Sequence, residues 1–218
     1  MQITATRCTD DGIDAAAIVQ LQPGRAHEFC GAARRMLAVW ALAGLGPHAL
    51  HLWLRPRWSA DRLNPSGLGD WLNPASLILL DAARDSDMLA CAEEALRAGA
   101  VASVTLEMRA PPALTPLRRL HLAAEAGLAR RRTQVRSAGL VALVLTPGDG
   151  GTPGVESRWQ LTPCPAPDVP CLPGSDTVRP FWQLRRLRAR MAPPAAWQIE
   201  TRGQGQIHAH PIPDHTAG

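Results

Sequence analysis

The sequence contains no lysine and no tyrosine, and it has only two phenylalanines among its 218 residues. All 23 residues that carry a basic side chain are therefore arginine. The planar guanidinium of arginine does not replace the compact ammonium of lysine at sites built around one point charge. The missing lysine thus excludes any phosphate-binding loop that depends on a lysine side chain.

Long apolar runs are also missing. No stretch approaches the ~20 apolar residues of a membrane-spanning helix, and the residues after Met1 lack the apolar core of a signal peptide. The cysteines are odd in number and irregular in spacing, with no C-x-x-C pair: Cys8, Cys30, Cys91, Cys164 and Cys171. This usage predicts a reduced, cytoplasmic protein without a cysteine metal site.

The composition that remains indicates one globular domain. Hydrophobic residues make up 46% of the chain, and the net charge of +4 permits contact with nucleic acid without requiring it. We expect an N-terminal segment over 1–24, with a short helix at 14–21, and a domain over 25–201. A proline-rich loop at 163–180 and a tail at 202–218 are predicted to be disordered.

Apolar strands alternate with helices through the first two thirds of the chain. Strands are predicted at 25–30, 49–54, 77–80, 101–106 and 140–145, and helices at 34–43, 87–98 and 115–126, with an arginine-rich connection at 127–136. Nearly continuous apolar strands of this kind form a parallel sheet covered on both faces. Beyond residue 147 the pattern changes to an antiparallel strand at 157–162 and a hairpin formed by 181–190 and 196–201.

Three local sequences resemble parts of the RecA recombinase family: RAHEFCG at 25–31, ALRAGAVASVTLEM at 95–108 and RARMAPPAAWQIE at 188–200. Two more, RLHLAAEAG at 119–127 and ESRWQL at 156–161, are similar to ImuA, the RecA-like accessory of the bacterial mutasome. The resemblance covers about residues 22–201. It implies an α/β fold with a mostly parallel central sheet, helices on both faces and a C-terminal antiparallel extension.

The resemblance places a nucleotide loop after Gly31, and its chemistry is absent. A phosphate loop has the form G-x-x-x-x-G-K-[ST], in which backbone N–H groups hold the phosphates and the last residues supply a charge and a magnesium ligand. Met36, Leu37 and Ala38 stand where the second glycine, the lysine and the hydroxyl belong. Arg34 and Arg35 are the cations nearest to these positions, but an arginine does not substitute freely for that lysine.

Two further positions of the family agree only in part. Glu107 follows a strand where the family has the aspartate that organises Mg²⁺, and we expect it to be a solvated carboxylate. The family's catalytic glutamate follows the second strand, where this chain reads LRPRWSAD over 54–61 and Asp61 is a poor substitute. We therefore expect no catalytic residues, no cofactor and no metal, since phosphoryl transfer depends on positioning and charge neutralisation.

Other residues are candidates for contact with DNA or a protein partner. The densest basic run contains Arg185, Arg186, Arg188 and Arg190, of which the last three should share one strand face. Trp58 and Trp71 fall in a predicted loop, whereas Trp53, Trp159 and Trp197 are predicted to pack internally. The glycine-rich loop at 147–156 is expected to be flexible and to bind DNA weakly, because it carries no basic residue. The histidines at 208, 210 and 215 are assigned to the disordered tail.

The sequence leaves more than one function open. The ImuA resemblance implies an accessory protein of damage-induced translesion synthesis. Its partners would be an ImuB-like inactive polymerase, an error-prone replicative-type polymerase and RecA, with weak direct DNA binding and no membrane contact. The alternatives are a degenerate ATPase that still turns over nucleotide, and a SulA-like cell-division inhibitor that shares a reduced RecA-like core.

Overall fold

A computed structural model describes residues 18–133, 139–165, 181–201 and 207–212 of the chain. Residues 14–17 of the predicted helix, most of the proline-rich loop and most of the tail lie outside these residues. The predicted helix does not extend over 19–21, and the predicted loop begins later than expected, because Pro163 and Cys164 belong to a strand. The described strands form one sheet in the order β3-β2-β4-β5-β1-β6-β7-β8-β9. The strands are β1 (Ala26–Cys30), β2 (His51–Pro56), β3 (Leu77–Ala82), β4 (Ser103–Glu107), β5 (Val141–Leu145), β6 (Ser157–Cys164), β7 (Phe181–Ala189), β8 (Ala195–Thr201) and β9 (Ile207–Ile212).

The helices are α1 (Arg34–Ala43), the single turn α2 (Pro65–Leu68), α3 (Asp85–Ala98) and α4 (Leu114–Thr133), with a short 3₁₀ turn at Pro74–Ser76. Strands β1 to β6 are paired in parallel, and β6 to β9 are paired antiparallel. Helices α1, α3 and α4 connect successive parallel strands, as parallel pairing requires. The predicted fold class is confirmed.

Two apolar clusters cover the two faces of the sheet. One contains Leu37 and Trp40 of α1 together with Phe29, and it continues under the antiparallel strands to Leu161 and Ile199. The other joins α3 and α4 to the opposite face of the sheet. All five residues of β1 and of β5 are buried. Strand β5 is wholly apolar, as expected for a strand covered on both faces, whereas β1 also buries His27 and Glu28.

Helix α4 is longer than the sequence predicts. The segment beginning at Gly127 was expected to be a connection, but the helix continues to Thr133. Gly127 lies where α4 approaches α3 most closely, since a Cβ there would lie 1.8 Å from the carbonyl oxygen of Leu96. Arg131 is buried and donates to the carbonyl oxygens of Gly99 and Val101 at 2.9 and 3.0 Å, so it caps the end of α3.

The end of the chain also differs from the prediction. The segment assigned to a disordered tail contains β9, in which His208 pairs with Glu200 and His210 pairs with Gln198 of β8. The strand was missed because alternating histidine, alanine and proline do not form a recognisable apolar pattern. His215 lies outside the described residues.

Strand β3 forms the other edge of the sheet. Ile78, Leu79 and Leu80 are exposed, at 48%, 53% and 36%. Within the described part of the chain, no helix is long and apolar enough to cross a membrane.

Candidate functional site

The carboxyl ends of the parallel strands carry the positions that the sequence singled out. Strand β1 ends at Cys30 and α1 begins at Arg34, so the connecting turn is only 31–33. Gly31 has φ of +88°, and a Cβ there would lie 2.4 Å from the carbonyl oxygen of Leu161. Only glycine fits this turn, because any side chain would meet both an unfavourable backbone angle and the end of β6.

The backbone donors of this turn are used inside the protein. The N–H of Gly31 donates to the carbonyl oxygen of Gly148 at 2.9 Å, and that of Ala33 donates to Leu161 at 3.0 Å. Phosphate binding requires such N–H groups to point at the ligand. Here both N–H groups donate to carbonyl oxygens of the protein instead of pointing at a ligand.

The three replaced motif positions belong to helix α1 rather than to a loop. Met36 is half-buried against the apolar core, and Leu37 and Ala38 are fully buried in it. Helix α1 begins two residues before Met36, so the position of the second glycine is helical in this chain. The side chains that should face a nucleotide are instead part of the core.

Arg35 of α1 pairs with Glu107, the carboxylate at the second-motif position. Its Nε and Nη2 donate to the two carboxylate oxygens of Glu107 at 3.0 and 2.6 Å. Trp53 Nε1 donates to the same carboxylate at 2.7 Å. The expectation of a solvated Glu107 is wrong, because this residue is only 8% exposed and its oxygens are engaged by three donors.

The residue at the remaining family position, Asp61, also lies near the guanidinium of Arg35. Asp61, which stands nearest to the missing catalytic glutamate, lies 3.5 Å from Arg35 Nη1 and is otherwise exposed. Arg34 turns back on the loop, and its Nη1 donates to the carbonyl oxygen of Gly31 at 3.2 Å. The structure thus brings Arg35, Glu107 and Asp61 together, with both arginines directed at protein acceptors.

Comparison with known proteins supports the architecture. No protein-family model and no curated protein matches the sequence. Among solved structures, the crystal structure of the RadB recombinase matches with a TM-score of 0.52 at 16% sequence identity. The match covers 89% of this chain and 94% of that chain.

The fold is RecA-like.

The loop between β5 and β6, at the place where RecA-like proteins have a DNA-contacting loop, is tied to the sheet by Glu28 of β1. The fully buried carboxylate accepts from Thr146 Oγ1 at 2.7 Å, from Thr152 Oγ1 at 2.6 Å and from the N–H groups of Gly151 and Thr152 at 3.1 Å. It also pairs with Arg158. The expectation of a flexible loop is therefore wrong, since its N–H groups bind an internal anion.

These contacts also determine the ionisation of the carboxyl. Burial alone would raise the pKa of Glu28, but hydrogen bonds from Thr152, Arg158 and Thr146 outweigh it and lower the pKa. Glu28 is thus a charged anchor for the loop at neutral pH. Sequence reasoning missed it because its donors lie more than 100 residues away along the chain.

The arginines of β7 do not form the single row that strand alternation predicts. A register shift opposite Arg158 and Trp159 pairs Arg186 with Trp159 and Arg188 with Arg158. Paired side chains lie on the same face of the sheet, so this bulge places Arg186 and Arg188 on opposite faces. Arg185 and Arg188 are exposed, and Arg190 lies 3.6 Å from Glu156.

The side chain of Arg186 packs against two tryptophan rings. Its guanidinium lies 5.5 Å from the ring of Trp159 and 5.4 Å from that of Trp197, and burial lowers its pKa. Trp53 and Trp159 are buried and Trp197 is half-buried, as predicted. The partner candidate Trp71 is half-buried against Trp40, with ring centroids 5.5 Å apart, while Trp58 is exposed.

Proposed function

We propose that this chain is a non-catalytic RecA-like accessory protein of damage-induced translesion DNA synthesis. It acts through contacts with an ImuB-like inactive polymerase, an error-prone replicative-type polymerase and RecA. The observation that carries the non-catalytic part of this proposal is the pairing of Arg35 with Glu107, which engages the second-motif carboxylate in an internal ion pair. The accessory role itself rests on the resemblance to ImuA.

Phosphoryl transfer depends on backbone donors around the phosphates, a cation and a metal-binding carboxylate. At this site the donors of the turn meet carbonyl oxygens, the lysine position is buried hydrocarbon and the carboxylate is held by Arg35 and Trp53. A nucleotide would have to displace these contacts without recovering equivalent ones. This chemistry favours a binding role over turnover.

The β5–β6 loop supports contacts with proteins over contacts with DNA. Its N–H groups are engaged by Glu28, and it contains no arginine with which to neutralise phosphates. Because phosphate contacts supply most non-specific DNA affinity, we expect direct DNA binding to be weak.

Two measurements test the proposal with the full-length protein. Purified protein with ATP and Mg²⁺ should show neither stoichiometric nucleotide binding in calorimetry nor phosphate release, with RecA on single-stranded DNA as the active control. Surface plasmon resonance with each purified partner should detect saturable binding to at least one of them. Nucleotide turnover, or the absence of binding to all three proteins, would reject the proposed role.

A further inference from the structure

An exposed indole lies at the carboxyl end of the β2–β3 ladder. Trp58 is 59% exposed, in a turn closed by a hydrogen bond from the N–H of Ser59 to the carbonyl oxygen of Pro56 at 3.1 Å. The preceding N–H, that of Arg57, donates to Ala82 of β3 at 2.8 Å. These two hydrogen bonds fix the backbone of the turn that carries Trp58 to the edge of the sheet in the unbound protein.

Two arginines flank the ring without a carboxylate of their own. The guanidinium of Arg109 lies 5.0 Å from the centroid of the Trp58 ring. Among the described residues, neither Arg109 nor Arg57 has an acidic side chain within ion-pair distance, and both are exposed. Asp81 and Asp61 are already engaged by Arg55 and Arg35. We call Arg57, Trp58 and Arg109 the Trp58 surface.

The apolar part of this edge extends beyond the ring. The edge strand β3, whose end lies beside the turn of Trp58, exposes three more apolar side chains: Ile78 and Leu80 on one face of the sheet and Leu79 on the other. Exposed apolar side chains grouped beside unpaired charges are typical of protein contact sites. Tryptophan and arginine are also the residues most often found at the energetic centre of such sites.

We propose that the Trp58 surface is the docking site for an acidic segment of a protein partner, a proposal that rests on the function proposed above. The partner places an apolar side chain against the free part of the indole and carboxylates against Arg57 and Arg109. These cations, with the exposed Arg62 that donates to the carbonyl oxygen of Ser59 in the same turn, fit a short acidic segment. A nucleic acid is the less favoured partner, because so few cations neutralise few phosphates, and phosphate contacts supply nearly all non-specific nucleic-acid affinity.

The test uses full-length protein with three substitutions in the Trp58 surface. Trp58→Ala removes the ring, Trp58→Phe keeps an aromatic anchor, and the double variant Arg57→Glu/Arg109→Glu reverses the charge. Met191→Ala is the apolar control because Met191 is 89% exposed at a distant hairpin. Arg118→Glu/Arg130→Glu is the charge control, since both residues are exposed arginines elsewhere.

The probes are the purified ImuB-like protein, the error-prone polymerase, RecA and a 20-nucleotide single-stranded DNA. We expect Trp58→Ala and the charge reversal each to weaken binding to one of the three proteins by at least tenfold. Trp58→Phe should bind within about fivefold of wild type, and both controls within twofold. Binding of the wild type should weaken with salt, and the charge-reversed variant should lose that dependence.

The possible failures are distinguishable. If wild-type protein binds none of the three proteins, the proposed function and the docking site both fall. If the wild type binds one and all variants bind it equally, only the docking site is overturned. A loss confined to the oligonucleotide would show that the surface is a nucleic-acid site and would reject a protein partner. Unchanged thermal midpoints establish that the substitutions leave the fold intact.

Discussion

Replacing Arg35 with alanine should destabilise the protein, because Glu107 would remain buried as a charged group. In the wild type the carboxylate is 8% exposed and accepts two bonds from Arg35 and one from Trp53. Removing one member of a buried ion pair costs about 3–5 kcal/mol. The side chain of Arg35 is 27% exposed, and water that enters its place will solvate part of the charge, so we expect about 2–3 kcal/mol.

Urea unfolding followed by circular dichroism measures this loss as a shift in midpoint at constant slope. The double variant Arg35→Ala/Glu107→Gln should be more stable than the sum of the single effects, by at least about 1 kcal/mol, because it removes the unpaired charge. Arg84→Ala is the matched control, since Arg84 forms an exposed pair with Asp87 and its loss should leave the midpoint unchanged. An Arg35→Ala protein as stable as the wild type would refute the ion pair as the group that closes the site.

Three further outcomes follow from the geometry. Gly127→Ala should lower the free energy of unfolding by more than about 3 kcal/mol, because the added methyl group would overlap the backbone of α3. A urea midpoint like that of the wild type would contradict this close approach of the two helices. Glu28→Gln should increase amide hydrogen exchange in residues 148–152 while leaving exchange in α3 unchanged, since the carboxylate holds that loop. Equal protection in both proteins would reject the anchor. Burial lowers the pKa of His27 and of His51 to about 4. As pH falls, these histidines are therefore protonated in the unfolded chain before they are protonated in the folded protein. The free energy of unfolding should decrease between pH 6.5 and pH 4, by up to about 3 kcal/mol for each residue. Urea midpoints at pH 7.5 and 5 check this, and a His27→Gln/His51→Gln protein should show a smaller difference.

The order of strands and helices could be predicted from the sequence because it depends on local patterns. The apolar run that became β5 is buried on both faces, and the periodicity of 87–98 matches the buried stripe of α3. The same locality explains the errors. Gly127 reads as a helix end in sequence, whereas in the fold it allows two helices to touch.

The sequence predicted the candidate site from the phosphate-loop residues that are missing, and the structure explained it by the contacts that Arg35 makes. Reading Met36, Leu37 and Ala38 against the phosphate-loop motif was sufficient to predict that the usual ligands are gone. It could not reveal that Arg35 takes their place, because Glu107 lies 72 residues away along the chain. The available signal was a basic residue in the first turn of the helix together with a carboxylate at the end of β4, which is separated from β1 by β5.

The sequence by itself determined which chemical groups exist: no lysine for a phosphate, hydrocarbon where a nucleotide ligand belongs, and a helix that begins at Arg34, after a short turn. Only the tertiary structure decided how the remaining charges are paired, with Arg35 on Glu107, Glu28 on the β5–β6 loop and Arg186 between two indoles. The physical reason is that backbone conformation follows from neighbouring residues, whereas ion pairs depend on distances that are fixed only when distant segments pack together.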